Sequence, residues 1–254
     1  MVLTSLVFFF GGFMEKYYKT FDDYVSNYNL EDKDIKIKYE HSYRVMELSK
    51  KYSKLLGFSE EEQELATLIG LLHDIGRFEQ LRVYHTYNDS KSIDHADYGV
   101  KILFEDGLIK KFWDKEEDYD LIKFSVQNHN KLLLPEINNE RIIKQARLIR
   151  DTDKLDILYI VGKLDLFNFR TKEYKLSKEV IKSVKEHKAV SKELVNNLND
   201  DFALMLSFVF DINYDIVLDE VKENLKGFMK TINTNGTLDD VYKEVIKYID
   251  ERVD

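Results

Sequence analysis

Apolar residues recur three and four positions apart along most of the chain, which is the period of a helix that buries one face. Residues 34–56 follow this period, and Gly57 supplies a stop after them. A second helix is predicted from Ser59, whose spacing to Glu62 is that of a capping box, and Gly76 is its predicted end. No strand alternation stands out in the sequence, so the pattern predicts an all-α fold.

The helical period continues after residues 77–93, which read as a long loop of the kind that often carries function. Further helices are predicted at residues 94–104, 116–130, 138–161 and 237–250, with amphipathic segments beyond Lys172. We expect a lead-in at residues 1–19, a catalytic core at residues 20–165 and, packed on that core, a C-terminal helical extension at residues 166–254.

The N-terminal segment at residues 1–13 is apolar, but a membrane-spanning helix needs about 20 residues. No Lys or Arg precedes Lys16, so the segment lacks the basic start of a signal peptide. Two interpretations stay open: an upstream start or expression remnant, and a short segment packed on the core or on a partner chain. In both cases we expect a cytoplasmic location and no membrane partner.

The charge balance argues against nucleic acid as a partner. The 38 Lys and Arg residues against 47 Asp and Glu residues give a net charge of −9, which repels a polyanion. The sequence contains no cysteine, which excludes disulfides, thiolate nucleophiles and zinc–thiolate sites. Any metal must therefore take nitrogen and oxygen ligands, as Fe, Mn, Co, Ni, Mg and Zn do.

Ionisable side chains interrupt the apolar faces of several predicted helices. Burying such groups unpaired is costly, so a bound metal ion is the expected compensation. Imidazole and carboxylate groups that project from several helices towards one core build the metal sites of helical bundles. The residues on these faces are His41, His73, Asp74, His129 and Asp153.

The order of these residues resembles the H…HD…D signature of the HD superfamily of metal-dependent phosphohydrolases. His41, the His73–Asp74 pair and Asp153 in "RDTDKLD" match the signature, and "HDIGR" is close to its HDIG variant. The resemblance covers about residues 35–160. It implies an all-α HD-domain helical bundle with a divalent metal centre that hydrolyses a phosphate ester or anhydride.

His95 and His129 lie between the pair and the final aspartate, which gives the order H…HD…H…H…D. This order is similar to that of superfamily members with two metals. In such a member Asp74 would bridge the ions, and His95 and His129 would bind the second one. The remaining ligands of the first ion would be His41, His73 and Asp153. One ion and two ions both stay open.

Each candidate ligand also has a structural interpretation. His41 could be a hydrogen-bonded core histidine, and Asp74 could cap a backbone turn. Asp153 could pair with a basic neighbour on its own helix. His95 could cap the N-terminus of a helix, and His129 could favour a helix dipole.

Basic residues near the candidate ligands could contact a phosphate. Arg77, Lys131 and Lys154 each lie within four residues of a candidate ligand, and each could instead form a salt bridge with a nearby carboxylate. His85 lies in the predicted loop, where we expect it to be exposed. His187 lies in a charged segment and is expected to be solvated.

The sequence thus predicts a metal-dependent phosphohydrolase for a small phosphorylated metabolite, with a nucleotide as the expected class. One alternative is a di-iron oxygenase, because the superfamily also contains members that resemble inositol oxygenase. A second alternative is a non-catalytic sensor that contains a metal. The oligomeric state, including a homo-oligomer, stays open.

Overall fold

The computed structural model of the chain describes residues 12–163, 175–232 and 235–253. Helices joined by turns make up these ranges, and none of their residues lies in a strand, which confirms the all-α prediction. The α-helices are α1 (Gly12–Val25), α2 (Lys33–Leu55), α3 (Glu60–Leu72), α4 (Ile75–Tyr84), α5 (His95–Val100), α6 (Tyr119–Asn128), α7 (Glu140–Lys163), α8 (Lys178–Lys185), α9 (Leu198–Leu206), α10 (Leu218–Thr231) and α11 (Asp239–Val253).

The predicted signals between α2 and α3 have the expected backbone geometry. Gly57 follows α2 with a φ of 71°, a left-handed conformation that glycine adopts without steric cost. The Ser59 side chain accepts a hydrogen bond from the Glu62 amide and so caps α3. The other half of the capping box does not form, because the Glu62 carboxylate binds Gln145 and Arg141 of α7 instead.

The predicted helix end at Gly76 is wrong, and the loop predicted at residues 77–93 begins only after Tyr84. Helix α3 already ends at Leu72, and Gly76 lies in the first turn of α4, which runs to Tyr84. The glycine serves close packing instead, since a Cβ atom at this position would lie 2.1 Å from the carbonyl oxygen of His95. Helices α4 and α5 therefore approach each other more closely than a side chain at residue 76 would allow.

The next helix begins where the sequence predicts it. Asp94 caps α5 by accepting hydrogen bonds from two backbone amides of its first turn. The helix continues as a π-helical turn over Lys101–Glu105 and ends before Gly107, which has a φ of 79°. Helices α6, α7 and α11 also lie at their predicted positions.

The buried apolar side chains form two clusters. The first joins α1 to α6 with the start of α7. The second joins the C-terminal half of α7 to helices α8 to α11 and includes Tyr52 of α2 and Ala66 of α3. Helix α7 contributes to both clusters and packs against α2 and α10, so it connects the N-terminal helices to the C-terminal extension.

Two predictions concern parts of the chain that the structure describes only incompletely. Residues 1–11, most of the apolar N-terminal segment, lie outside the described residues, and so do residues 164–174 at the predicted core boundary. The domain limits at residues 1–19, 20–165 and 166–254 therefore stay a prediction. Within the described ranges, no helix is both long enough and apolar enough to cross a membrane.

Candidate metal centre

The six candidate ligands come from five places in the fold and lie together. Helix α2 supplies His41, α5 supplies His95 at its first position, α7 supplies Asp153, and His129 directly follows α6. His73 and Asp74 form the break between α3 and α4. Consecutive residues inside one helix would point about 100° apart, so this break allows both side chains of the pair to reach one site. All of these side chains are buried except Asp153, which is partly exposed.

The first group of ligand atoms surrounds one oxygen of Asp74. Nε2 of His41 lies 3.2 Å from Nε2 of His73 and 3.1 Å from Oδ1 of Asp153. Oδ2 of Asp74 lies 3.5 Å from Nε2 of His41 and 3.6 Å from Nε2 of His73. We call these four residues the first half of the centre.

The second group surrounds the other oxygen of the same carboxylate. Nε2 of His95 lies 3.1 Å from Nε2 of His129 and 3.2 Å from Oδ1 of Asp74. The same oxygen lies 3.5 Å from Nε2 of His129. His95, His129 and Asp74 form the second half of the centre, so Asp74 belongs to both halves and gives each a different oxygen.

Every histidine of the centre is held through Nδ1, its outer nitrogen, while Nε2 faces the other ligand atoms. In each ring Nδ1 lies within hydrogen-bond distance of an acceptor, which is a carboxylate for His41 and His95 and a backbone carbonyl for His73 and His129. An acceptor at Nδ1 favours the tautomer in which Nε2 carries the free lone pair, the arrangement typical of metal-binding histidines. The acceptors are Asp156 (2.6 Å), Asp89 (2.9 Å), Gly70 (2.8 Å) and Val126 (2.7 Å).

These donor atoms fit divalent cations. Two Nε2 atoms that face each other at 3.1–3.2 Å need a proton or a metal ion between them, because their lone pairs would otherwise repel. Ligand nitrogens at about 2.0–2.1 Å from a metal lie roughly 2.9–3.4 Å apart at adjacent positions of an octahedron or tetrahedron. The observed nitrogen–nitrogen distances fall in this range. Nitrogen and oxygen donors also match the metal class that the absence of cysteine predicts.

The carboxylates of the centre are ionised. Burial opposes ionisation of Asp74, but the charge of Lys38 and the neighbouring histidines hold the pKa of this carboxyl well below its usual range. Burial also opposes ionisation of Asp153, and hydrogen bonds from His41 and His73 lower its pKa well below the usual value. The centre is therefore negatively charged at neutral pH before any cation binds.

The histidines of the two halves differ in their proton affinity. Burial and Lys38 oppose a charge on His41, but hydrogen bonds to Asp153 and two further carboxylates outweigh them and raise its pKa to about 10. Burial dominates at His129 and lowers its pKa to about 4. The first half thus holds a proton on His41 at neutral pH, whereas the His129 ring is neutral.

The structural interpretations of the two aspartates fail. Asp74 occupies the N-cap position of α4, yet its side chain makes no capping hydrogen bond. The basic neighbours of Asp153 on α7 are engaged elsewhere, because Arg150 and Lys154 both bind Asp211 of the C-terminal extension.

Arg77 fixes the loop beside the centre. Its guanidinium is buried, and Nη1 donates to the Asp89 carboxylate and to the Tyr87 carbonyl, both at 2.8 Å. Its Nε lies 3.7 Å from Oδ1 of Asp74 and has no hydrogen-bond partner among the described residues. Arg77 therefore joins α4 to the loop that positions His95, and one polar atom near Asp74 is left for another ligand.

The two predicted lysine contacts point away from the ligand atoms. The Lys131 ammonium lies 2.7 Å from Asp94, the cap of α5, and so ties the segment after α6 to α5. The Lys154 ammonium is buried and lies 2.8 Å from Asp211. Both residues contact elements that carry the centre, and their role as phosphate contacts stays a prediction.

Three residues at the centre were not predicted from the sequence. Lys38 lies 2.6 Å from Oδ2 of Asp74, and its place three residues before His41 could have indicated a shared helix face. Asp156 lies one turn after Asp153, in the "DKLD" segment, and binds His41 from behind. Asp89 lies six residues before His95 in the loop that leads to α5, and the turn of that loop brings its carboxylate to the ring.

The two histidines outside the centre have different environments. His85 ends α4 and is exposed, as expected. His187, expected to be solvated, is only partly exposed: its ring stacks on Phe210 at 5.3 Å and its Nε2 lies 2.7 Å from Glu244. A left-handed backbone at His187, with a φ of 52°, ends α8 and turns the ring into the C-terminal helices.

Comparison with protein-family models matches residues 39–158 to the HD domain. The matched span begins just before His41, ends just after Asp156 and contains all six candidate ligands. Comparisons with curated proteins and with solved structures found no match. This match confirms the resemblance seen in the sequence. Residues 39–158 are an HD domain, which indicates a member of a superfamily of metal-dependent hydrolases.

Proposed function

We propose that this chain hydrolyses a phosphate ester or anhydride of a small phosphorylated metabolite at a dinuclear metal centre. The observation that supports the proposal is the position of Asp74, whose two oxygens face two separate groups of imidazole nitrogens. His41, His73 and Asp153 would complete the site of one cation, and His95 and His129 that of the other. A buried carboxylate between two such groups has the geometry of a bridging ligand.

Two divalent cations, when bound, supply a hydroxide at neutral pH and stabilise the negative charge that develops on a phosphoryl group. The residues of the chain keep the ligands oriented: Asp156 and Asp89 accept from the outer nitrogens of His41 and His95. These outer hydrogen bonds also raise the basicity of the rings as ligands.

Cationic side chains at the edge of the centre favour an anionic substrate. The Lys38 side chain is 14% exposed and brings its ammonium next to Asp74. The buried Nε of Arg77 lies on the Oδ1 side of the same carboxylate. Lys192 of the C-terminal extension is largely exposed, and its ammonium lies 4.0 Å from Asp89. We infer that Lys38, Arg77 and Lys192 neutralise phosphate oxygens of the substrate.

We propose a nucleotide as the phosphorylated metabolite. This choice of substrate rests on the HD family, whose members are generally metal-dependent phosphohydrolases. A di-iron oxygenase would use a similar set of six ligands, and a metal-containing sensor would need no turnover. Both alternatives give distinct results in the experiment below.

The test uses the purified full chain, freed of metal with a chelator and reloaded separately with Mn²⁺, Co²⁺, Fe²⁺, Ni²⁺, Mg²⁺ or Zn²⁺. Phosphate release is measured with a generic aryl phosphate, its diester and a panel of mono-, di-, tri- and cyclic nucleotides. We expect release with at least one metal and one nucleotide, and little release without metal. Oxygen consumption with Fe²⁺ and no phosphate release would support the oxygenase. Metal binding without any turnover would support the sensor.

A further inference from the structure

Arg150 is a buried arginine on the same helix as Asp153 that contacts no ligand atom of the centre. Only 2% of its surface is exposed, and it lies one turn before Asp153 on α7. Its Nη1 donates to the carbonyl oxygens of Asn128 at 2.9 Å and Lys131 at 2.6 Å, with His129 at 3.4 Å. Its Nη2 donates to the Leu132 carbonyl at 3.3 Å. One guanidinium thus binds the stretch of backbone that carries His129.

This backbone lies at the C-terminal end of α6, where the helix itself supplies no further amides to its carbonyl groups. Helix α6 ends at Asn128, and His129 is the first residue after it. The last carbonyls of a helix have no amide one turn ahead, so they need side chains or water. Arg150 fills this need with charge-assisted hydrogen bonds, which are stronger than those of a neutral donor.

The C-terminal extension holds Arg150 from the other side. Oδ2 of Asp211 lies 2.5 Å from Nη2 of Arg150 and 2.8 Å from the Lys154 ammonium. The same turn of the extension is fastened a second time, because the Asp151 carboxylate accepts from the backbone amides of Asn213 and Tyr214 at 3.0 and 2.9 Å. A salt bridge and a set of amide hydrogen bonds therefore join this turn to α7 directly before Asp153.

We propose that Arg150, held by Asp211, is a positioning residue for His129, so that the C-terminal extension sets the geometry of the second half of the centre. The inference rests on the proposed dinuclear site. Apart from the other ligands of the centre, the contact given for the His129 ring is Nδ1, 2.7 Å from the carbonyl of Val126 in α6 itself, so the backbone that Arg150 binds sets where the ring lies. His41 in contrast lies inside α2 and is bound by Asp156, so the position of this ring does not depend on the Arg150 contact.

The test compares two variants that weaken the contact with one that does not. Asp211→Asn removes the charge that holds Arg150, at a residue whose side chain is 24% exposed and can be replaced without a cavity. Arg150→Lys keeps a positive charge, but an ammonium cannot bind several carbonyls and a carboxylate together. The matched control is Glu220→Gln, because Glu220 joins the same extension to Tyr52 and Lys51 of α2.

The first measurement is made on the metal-free full chain by NMR of the imidazole nitrogens. We expect the His129 ring resonances to shift in Asp211→Asn and Arg150→Lys and to stay in place in Glu220→Gln. The His41 and His73 resonances should stay in place in all three. A general loss of folding would move every ring and would thereby overturn the positioning role.

The second measurement is a titration with Mn²⁺ alone, followed by calorimetry and by the electron paramagnetic resonance of the free ion. The affinity for the second ion should fall about tenfold or more in the two variants. A loss of this size is typical when a residue that orients a metal ligand is removed. The affinity for the first ion should stay within about twofold, and the control should match the wild type.

The outcomes separate this inference from the proposed function. Unchanged His129 resonances and an unchanged second affinity in both variants would overturn the role of Arg150. A wild-type chain that binds a single Mn²⁺ would overturn the dinuclear proposal instead. In that case the metal-free NMR comparison still decides whether Arg150 and Asp211 position His129.

Discussion

The two halves of the metal centre share one carboxylate and hold their histidines in similar ways, but they differ in the charges that contact the rings. Behind His41 of the first half lies a network of charges, in which the Arg44 guanidinium binds Asp156 at 2.7 Å. The second half has a matching carboxylate, Asp89, behind His95, whereas only the first half has a second carboxylate ligand, Asp153, 3.1 Å from its His41 ring.

This difference gives the two halves different electrostatic properties. Burial and Lys38 oppose a proton on His41, yet the surrounding carboxylates raise its pKa to about 10, whereas burial lowers the pKa of His129 to about 4. The first half gains more from a cation, because negative charges already surround the ligand atoms. We therefore expect the first half to bind its ion more tightly than the second half. Binding of an ion to the second half would then be the step that completes the dinuclear centre.

Removing the shared carboxylate should have the largest effect, because it breaks both halves at once. In Asp74→Ala we expect hydrolysis to fall by about a thousandfold or more, with bound metal reduced at both positions. Helix content, measured by circular dichroism, should stay largely unchanged, since Asp74 does not cap α4.

The matched control for that variant is Ser59→Ala. Ser59 is a true helix cap outside the centre, so its removal should cost about 1 kcal/mol of stability and leave turnover unchanged. Full activity in Asp74→Ala would refute the assignment of the site.

Removing one imidazole should separate the halves. In His129→Ala and in His95→Ala we expect the metal content to fall from about two ions per chain to about one, because only the second half loses a ligand. Hydrolysis should fall strongly in both. Elemental analysis of each variant beside the wild type measures the change, and one ion per chain in fully loaded wild type would contradict the dinuclear centre.

A smaller effect on metal affinity is expected when the carboxylates that bind Nδ1 of His41 and His95 are replaced. Asp156→Asn should weaken binding of the first ion and Asp89→Asn that of the second, each by about 10–100-fold. The first change also leaves Arg44 without its carboxylate. Mn²⁺ titration measures both affinities in each variant. If both variants weaken the binding of the same ion, the division of the centre into two halves is wrong.

The smallest effect, taken per pH unit, concerns the pH dependence of metal binding. Because its raised pKa keeps a proton on His41, an ion that enters the first half must displace that proton. We therefore expect the first affinity to rise with pH, by up to about tenfold per unit between about pH 6 and pH 9. His129, with its lowered pKa, is already neutral over this range, so the second affinity should rise less steeply. Equal slopes in chelator-competition assays would contradict the electrostatic difference.

The sequence predicted the ligands well because their signal is local and periodic. His41 and Asp153 interrupt apolar helical faces, and the order of all six ligands matches a family signature. The surrounding helices followed from period and capping, as Ser59 and Asp94 show. Such features depend on near neighbours in the chain and can be read without the fold.

The errors arose where tertiary contacts override local signals. Gly76 looks like a helix end, but the close approach of α5 requires its missing side chain. Asp89 looks like a turn residue, but its carboxylate also binds His95, six residues further along the chain. Lys154 is predicted to contact a phosphate or a nearby carboxylate, and the carboxylate that it binds in the structure is the distant Asp211. None of these partners is visible from spacing alone.

Helix α7 extends the folding unit of this protein beyond the span that matches the HD domain. The span that matches the HD domain ends at residue 158, inside a helix that continues to Lys163. Leu155 and Leu158 are buried among the C-terminal helices rather than in the first cluster, and each is worth roughly 1.5–3 kcal/mol of burial. A chain cut at the end of the match would expose both leucines and leave Arg150 without its carboxylate partner. The stretch of sequence that recurs among HD proteins is therefore shorter than the stretch that must fold together here.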